Sequence, residues 1–268
     1  MLIDILKAFL ALGIMGLVFG GALSIAGKIF FVKEDDRKEK LLEILPGANC
    51  GGCGYAGCAN YADAILAGDA PCNKCPVAKS EGAAALAEVM GAEAEDVVPM
   101  VAHIRCRGNN HFANKKYIYY GMNDCVAANR LLGGYMTCQY GCLGFGNCVK
   151  KCPENAISVQ DGVAVVDRDL CIGCGVCLDA CPKNVIELLP KESKIIVNCS
   201  NHDKGVRTRE ACNIGCIGCK ICEKNCPEGA IHVEGNVSHI DYEKCVGCGI
   251  CAEKCPRKII EIPKRNEK

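Results

Sequence analysis

The sequence predicts an α+β chain whose second half contains two copies of a small cysteine-rich module. Three observations support this fold class. Cysteines recur at the spacing Cys-x2-Cys-x2-Cys-x3-Cys-Pro, the module repeats after a fixed interval, and short alternating apolar runs follow the repeated motifs (Val163–Val166 and His232–Ile240). Alternation of this kind is typical of β-hairpins. A long apolar run and a separate glycine-rich cysteine cluster precede the modules.

The full cysteine motif occurs three times, beginning at Cys171, Cys216 and Cys245. Cysteines at these intervals, closed by proline, are the bacterial ferredoxin signature for [4Fe-4S] clusters. Three cysteines on one loop bind one cluster, and the fourth, beside the proline, ligates the other cluster of the pair. The motif therefore predicts iron–sulfur clusters and electron transfer.

An internal repeat relates the two modules. Adding 74 (212 − 138) to the number of each cysteine in the first copy reaches a cysteine in the second, without a gap. The nine pairs are Cys125/Cys199, Cys138/Cys212, Cys142/Cys216, Cys148/Cys222, Cys152/Cys226, Cys171/Cys245, Cys174/Cys248, Cys177/Cys251 and Cys181/Cys255. Repetition at a fixed period indicates tandem structural units. We expect two two-cluster ferredoxin modules, at residues 135–190 and 191–268.

The crossover rule assigns three ligand sets directly. They are Cys152, Cys171, Cys174 and Cys177; Cys216, Cys219, Cys222 and Cys255; and Cys226, Cys245, Cys248 and Cys251.

The fourth set is irregular, because Phe145 stands where the second copy has Cys219. Cys138, only four residues before Cys142, is the favoured substitute, and it predicts the set Cys138, Cys142, Cys148 and Cys181. A three-iron cluster or the absence of a cluster are the alternatives. The pairs Cys125/Cys199 and Cys138/Cys212 could instead share a structural role or a further cluster.

A separate cluster, Asn49-Cys50-Gly51-Gly52-Cys53-Gly54-Tyr55-Ala56-Gly57-Cys58, is followed by Cys72 and Cys75-Pro76. Two metal sites are consistent with it. Cys50, Cys53, Cys72 and Cys75 have a zinc-ribbon spacing. Alternatively, Cys50, Cys53, Cys58 and Cys75 bind another [4Fe-4S] cluster, which the glycines favour because they let the backbone approach a bulky group.

The N-terminus is predicted to be a membrane anchor. From Ala8 to Gly27 the chain is apolar except for Ser24, and about 20 helical residues span the roughly 30 Å of a hydrocarbon core. A signal peptide would be shorter and more basic at its start. Basic residues that follow the run (Lys33, Arg37, Lys38, Lys40) place the bulk of the chain on the cytoplasmic face.

Composition supports metal binding in a reducing compartment. Cysteine accounts for 25 of 268 residues, but disulfide scaffolds are short exported chains, and three cysteines at x2 spacing cannot pair without strain. Lys+Arg and Asp+Glu both number 31, so net charge gives no reason to expect a nucleic-acid partner. No nucleophile–base pair or paired carboxylates stand out, so we expect no bond-breaking chemistry.

Taken together, the anchor, the Asn49–Cys58 motif with Cys75-Pro76, and the ferredoxin modules resemble the B-subunit family of the Rnf complex. Tyr140-Gly141-Cys142-Leu143-Gly144 and the doubled ferredoxin half resemble its longer form. The resemblance implies a membrane ferredoxin:NAD oxidoreductase coupled to Na⁺ or H⁺ translocation, in which this subunit carries electrons and flavin-bearing partners reduce NAD. It also implies that Cys50, Cys53, Cys58 and Cys75 are the ligands of the first cluster.

The complete prediction is a chain of five segments with five clusters. The segments are a transmembrane anchor (1–32), a small helical [4Fe-4S] domain (33–92), a linker (93–134) and the two modules. Five cysteines remain unassigned, with a free buried thiol expected for each: Cys72, Cys106, Cys125, Cys199 and Cys212. Expected partners are soluble ferredoxin, the other subunits and membrane lipid, at the prokaryotic cell membrane. The rival functions are an electron-transfer subunit of another membrane oxidoreductase and a zinc-stabilised membrane scaffold.

Overall fold

The structure is a computed structural model that describes residues 2–29, 35–93 and 98–263. The helices are α1 (Leu2–Ile29), α2 (Asp36–Ile44), α3 (Cys58–Ala67), α4 (Lys79–Met90), α5 (Cys125–Arg130), α6 (Asn147–Lys151), α7 (Val176–Asp179), α8 (Gly205–Ala211), α9 (Ile221–Lys224) and α10 (Ile250–Lys254). The strands are β1 (Met100–Ile104), β2 (Ile157–Gln160), β3 (Val163–Val166), β4 (Ile186–Pro190), β5 (Ile196–Val197), β6 (Ile231–Glu234), β7 (Val237–Ile240) and β8 (Ile260–Glu261).

Helix α1 forms where the apolar run predicts a helix, but the prediction that it crosses a membrane is wrong. Across the part of the chain that the structure describes, no helix combines the length and the apolar character that a membrane span requires. Charged residues occur at Lys7 and Lys28, and five glycines (Gly13, Gly16, Gly20, Gly21, Gly27) lie between them. Glycine adds no apolar side chain to the helix surface. The predicted segment boundary at residues 32 and 33 lies outside the described residues.

Helices α2, α3 and α4 form the small N-terminal domain around a core that includes Leu41, Tyr61 and Leu86, all fully buried. Gly68 and Gly91 end α3 and α4 in the left-handed conformation, which glycine adopts without steric cost. The Tyr61 hydroxyl donates to the carbonyl oxygen of Pro71 at 2.7 Å and accepts from the Lys74 N–H at 3.1 Å. Tyr61 therefore holds the cysteine-bearing loop that follows α3.

The two modules are built from four two-stranded antiparallel sheets, with the orders β1-β4, β2-β3, β5-β8 and β6-β7. Hairpin β2-β3 turns at Asp161-Gly162 and hairpin β6-β7 turns at Gly235-Asn236, where both residues of each turn have positive φ. Such two-residue turns match the twist of the flanking strands. The hairpins are related by the 74-residue repeat (231 − 157), and each is packed into its own module core.

Strand β1 lies in the segment predicted as a linker, yet it pairs with β4 from Met100↔Pro190 to Ile104↔Ile186. It completes module 1 as β5 completes module 2 by pairing with β8. The chain that follows β1 then joins module 2 through two isolated bridges, Cys106↔Cys199 and Ala113↔Cys212. The structured part of module 1 thus includes strand β1, upstream of residue 135.

A buried histidine on β1 also connects the modules. The Nε2–H of His103 donates to the carbonyl oxygen of Val197 on β5 at 3.1 Å. Burial lowers the His103 pKa to about 4, because the charged imidazolium would lose its hydration. The neutral ring is therefore a structural hydrogen-bond donor between the modules.

Candidate iron–sulfur sites

Within the described residues, each module contains two cavities, and each of these is lined by four cysteines. The cavities are the outer site of module 1 (Cys152, Cys171, Cys174, Cys177), the inner site of module 1 (Cys125, Cys142, Cys148, Cys181), the inner site of module 2 (Cys216, Cys219, Cys222, Cys255) and the outer site of module 2 (Cys226, Cys245, Cys248, Cys251). Three of these sets coincide with the sets predicted from the motif.

The loops around the cavities depend on glycines at fixed positions. Gly173 (φ +69°) and Gly247 (φ +76°) each lie directly before the second cysteine of a Cys-x-x-Cys loop. The two glycines are related by the repeat. A Cβ at Gly173 would overlap the carbonyl oxygen of Met100 on β1. Only glycine combines this backbone conformation with so close an approach. The glycine lets the loop curl so that its three cysteines line one cavity.

Backbone N–H groups donate to cysteine sulfurs at both outer sites. The Ala156 N–H lies 3.3 Å from Cys152 Sγ, and the repeat-related Ala230 N–H lies 3.3 Å from Cys226 Sγ. The Ala102 N–H of β1 also donates to Cys171 Sγ, at 3.4 Å. Hydrogen bonds of this kind favour the charged sulfur and help to set the potential of a bound cluster.

The donor chemistry fits an iron–sulfur cluster. Burial, aided by neighbouring cysteine sulfurs, raises the pKa values of Cys148, Cys177 and Cys222 to about 12, so without metal these thiols would stay protonated at neutral pH. Coordination to iron replaces the proton and stabilises the thiolate. In the described part of the chain, no group of three or more His, Cys, Asp or Glu side chains is placed to hold a single metal ion. Each set of four sulfurs lines a cavity instead.

The inner site of module 1 differs from the predicted set in one residue. The structure lines it with Cys125, whereas Cys138 lies in another cavity between the modules. Phe145, at the position of the missing ligand, packs against Tyr119 and Tyr135 with ring centroids 5.5 Å apart in both pairs. The ligand position has become an aromatic packing position.

Two polar side chains hold Cys125 beside this cavity. Asp124 caps helix α5 by accepting from the Ala127 N–H at 2.8 Å, a common N-cap arrangement. The other oxygen of Asp124 accepts from the amide of Asn147 at 2.7 Å, and Asn147 Oδ1 accepts from the Cys125 N–H at 2.9 Å. Asn147 also begins helix α6, which carries Cys148. Cys125 and Cys148 are therefore positioned by one network, which no cysteine spacing reveals.

The N-terminal site brings the glycine-rich loop against the loop after α3. Cys53 and Cys75 are buried in the core of this domain, and Cys58 and Cys72 pack against the same core. The Cys58 N–H donates to Asn49 Oδ1 at 2.8 Å, which closes the loop. Burial raises the Cys75 pKa, and the nearby sulfurs of Cys53 and Cys50 raise it further. These contacts connect Cys75 with Cys53 and Cys50, and Cys72 is also close by.

Three family models match the cysteine-rich regions. Residues 45–77 match a family described as "Putative Fe-S cluster". Residues 164–187 match a 4Fe-4S binding domain, and residues 215–259 match a 4Fe-4S dicluster domain. The matches cover the N-terminal site, the second half of module 1 and the cysteine motifs of module 2, and they confirm that the cofactors are [4Fe-4S] clusters.

Three curated proteins are similar over most of the chain. The B subunit of the proton-translocating ferredoxin:NAD⁺ oxidoreductase complex of Clostridium ljungdahlii is 45% identical over 88% of this chain and 84% of its own length. The B subunit of the Na⁺-translocating complex of Acetobacterium woodii is 45% identical over 87% of this chain and 70% of its own length. The B subunit of the ion-translocating oxidoreductase complex of Methanosarcina acetivorans is 41% identical, with 92% and 94% coverage. The chain belongs to this B-subunit family.

In this member of the B-subunit family, the N-terminal site contacts module 1 directly. A Cβ at Gly52 would lie 2.5 Å from the carbonyl oxygen of Cys174 and 3.1 Å from its Cα. Gly52 belongs to the loop of the N-terminal site, and Cys174 to the outer site of module 1. The two sites are therefore neighbours, although Gly52 and Cys174 are 122 residues apart in sequence (174 − 52).

Proposed function

We propose that the chain is the iron–sulfur electron-transfer subunit of an ion-translocating ferredoxin:NAD⁺ oxidoreductase complex. In this proposal it carries electrons from reduced ferredoxin towards flavin-bearing partner subunits that reduce NAD⁺, and the complex couples this flow to Na⁺ or H⁺ translocation. The observation that carries the proposal is the set of four cavities in the modules, each lined by four cysteines. The names of the relatives supply the identity of the complex.

We assign one cluster to each four-cysteine cavity and one to the N-terminal site. Cys50, Cys53, Cys58 and Cys75 are the N-terminal ligands, with Cys72 nearby but unassigned. At the inner site of module 1, the cavity lining supports Cys125 as the fourth ligand beside Cys142, Cys148 and Cys181. When bound, [4Fe-4S] clusters accept and donate single electrons at potentials set by charge, hydrogen bonds and exposure. In this proposal, the protein holds each cluster at a fixed site through its four cysteines.

Electron order follows from the placement of the sites. The contact between Gly52 and Cys174 makes the N-terminal site the neighbour of the outer site of module 1. The exposed Cys219 and Cys248 of module 2 offer points of approach for a soluble donor. We infer that ferredoxin delivers electrons to the modules and that the N-terminal site passes them to the partner subunits. The need for reduced thiols supports a cytoplasmic location of the modules, and ion-translocating complexes are membrane-associated.

The test uses the complex purified anaerobically. We expect the chain to contain iron and inorganic sulfide without zinc, to co-purify with flavin-bearing subunits, and to lose visible absorbance when reduced ferredoxin is added. Low-temperature EPR of the reduced sample should show [4Fe-4S] signals. Zinc in place of iron would contradict the proposal, as would clusters that reduced ferredoxin leaves oxidised. Other co-purifying subunits would favour a different membrane oxidoreductase.

Gly52→Val should separate the N-terminal site from module 1, because the new side chain would overlap the backbone of Cys174. We expect a large loss of ferredoxin-dependent NAD⁺ reduction by the complex, while iron content and reduction of the modules by ferredoxin stay unchanged. Ala56→Val, at an exposed position of the same loop, is the matched control and should keep full activity. Equal activity of the two variants would contradict the proposed path.

A further inference from the structure

A further cavity lies between the two modules, and it contains four cysteines that belong to none of the cluster sites described above. Its lining includes Cys106, Cys138, Cys199 and Cys212, together with Cys142 of the inner site of module 1. We call it the junction site. Cys138, Cys199 and Cys212 are buried, with 7% to 8% of their surface exposed. Cysteines that the ferredoxin motif leaves without a regular role thus meet at one place.

The sulfurs point into a common space. A Cβ at Gly108 would lie 3.4 Å from Cys212 Sγ and 3.6 Å from Cys106 Sγ. A Cβ at Gly141 would lie 3.6 Å from Cys138 Sγ and 3.8 Å from Cys106 Sγ. Cys199 faces Cys106 across the antiparallel bridge between the modules. The two glycines therefore leave room beside the sulfurs.

Buried donors without partners also line this cavity. Asn201 is only 2% exposed, and its Nδ2 has no hydrogen-bond acceptor. The Nε of Arg105 is buried and unpartnered as well, and both residues line the junction site. A buried amide or guanidinium N–H without an acceptor is costly. Sulfide or thiolate sulfur of a bound cluster would accept from both.

Backbone N–H groups connect the junction site with the inner sites on either side. The Cys142 N–H donates to Cys106 Sγ at 3.5 Å, and the Cys216 N–H donates to Cys199 Sγ at 3.3 Å. Cys142 and Cys216 belong to the inner sites of modules 1 and 2, and the 74-residue repeat relates them (216 − 142). Both modules thus support the junction site in the same way.

We propose that Cys106, Cys138, Cys199 and Cys212 bind a further [4Fe-4S] cluster that joins the two ferredoxin modules. Four thiolates are the usual ligand set of this cluster. The six sets use 24 cysteines (6 × 4) of the 25 and leave only Cys72. The role of this cluster as a redox link rests on the proposed function, whereas the binding site does not. Without it, the inner sites of the two modules would have no redox centre between them.

Two other states of these cysteines are possible outcomes of the test. They could be four free thiols, or they could form two disulfides. Neither state gives the unpartnered donors of Asn201 and Arg105 the strong acceptors that a cluster offers. Disulfides would also be unusual in the reducing compartment that the other clusters require.

Native mass spectrometry of the anaerobically purified chain counts the clusters directly. We expect six clusters and about 24 iron atoms per chain, from four irons each. Five clusters in the wild-type chain, with about 20 iron atoms, would overturn the inference. That result would leave the proposed function intact, provided that ferredoxin still reduces the chain; a chain without iron would overturn both.

Two serine variants locate the additional cluster. Cys138→Ser and Cys212→Ser should each hold five clusters, with the loss of about four iron atoms, whereas Cys72→Ser should keep six. Circular dichroism and the EPR signals of the remaining clusters check that the variants fold. If both variants retain six clusters, the assignment is overturned. If a variant fails to fold, the wild-type cluster count still decides.

Discussion

Removal of iron from the anaerobic protein should unfold both ferredoxin modules. Cysteines make up three of the ten buried residues in the core of module 1 (Cys142, Cys148, Cys177) and four of the ten in the core of module 2 (Cys199, Cys216, Cys222, Cys251). In the residues that the structure describes, the strands are two to five residues long and all sheets are two-stranded. Isolated sheets of this size are marginally stable, so cluster binding supplies much of the folding free energy.

Hydrogen exchange measured by mass spectrometry tests this expectation. After reduction and chelation of iron, amides in hairpins β2-β3 and β6-β7 should lose nearly all protection. A sample treated with reductant alone is the control and should keep it. Persistent protection of both hairpins after complete iron removal would show that the modules fold without clusters.

Cys125→Ser should remove the cluster at the inner site of module 1. The variant leaves three cysteines around that cavity, Cys142, Cys148 and Cys181, and we expect a loss of about four iron atoms per chain, or of one iron if a three-iron cluster remains. Iron analysis and EPR distinguish these results. Cys72→Ser is the matched control, because Cys72 lies outside every assigned set. Unchanged iron in Cys125→Ser would contradict the assignment of Cys125.

A second substitution tests whether a cysteine at position 145 can replace Cys125 as the fourth ligand. Adding Phe145→Cys to Cys125→Ser restores the spacing of the second copy, Cys216-x2-Cys219-x2-Cys222. We expect this double variant to recover iron that the single variant loses. The double variant should still be less stable than the wild-type chain. Phe145 packs against Tyr119 and Tyr135, and its truncation removes apolar contacts. Absence of any recovery would indicate that the loop no longer delivers position 145 to the cavity.

Local spacing predicts most of the modules because their chemistry is local. Three predicted ligands of each regular cluster lie within seven residues. Because the loop is so short, Cys171, Cys174 and Cys177 line the same cavity. Short alternating apolar runs predict the hairpins, and the structure adds their turns at Asp-Gly and Gly-Asn. The [4Fe-4S] cofactors and the family are confirmed by the comparisons. The individual ligand assignments remain predictions.

Long-range placement depends on contacts between segments that are distant in sequence, which local spacing does not report. Nearness in sequence favours Cys138 for the irregular site, but the Asp124–Asn147 network brings Cys125 there instead. Strand β1 falls in a predicted linker, because its partner β4 lies more than 80 residues away (186 − 104 = 82). The apolar N-terminal run suggests a membrane span that the described helix does not provide.

The sequence by itself determined the cofactor type and the duplication, and it predicts three complete ligand sets, because short spacing and the crossover rule leave few arrangements. Only the tertiary structure decided which distant cysteines meet. Packing of the segment after β1 across module 2 brings Cys106 to Cys199, and with Cys138 and Cys212 they line one cavity. Cysteine spacing does not predict this arrangement, because it depends on how the two modules pack against each other.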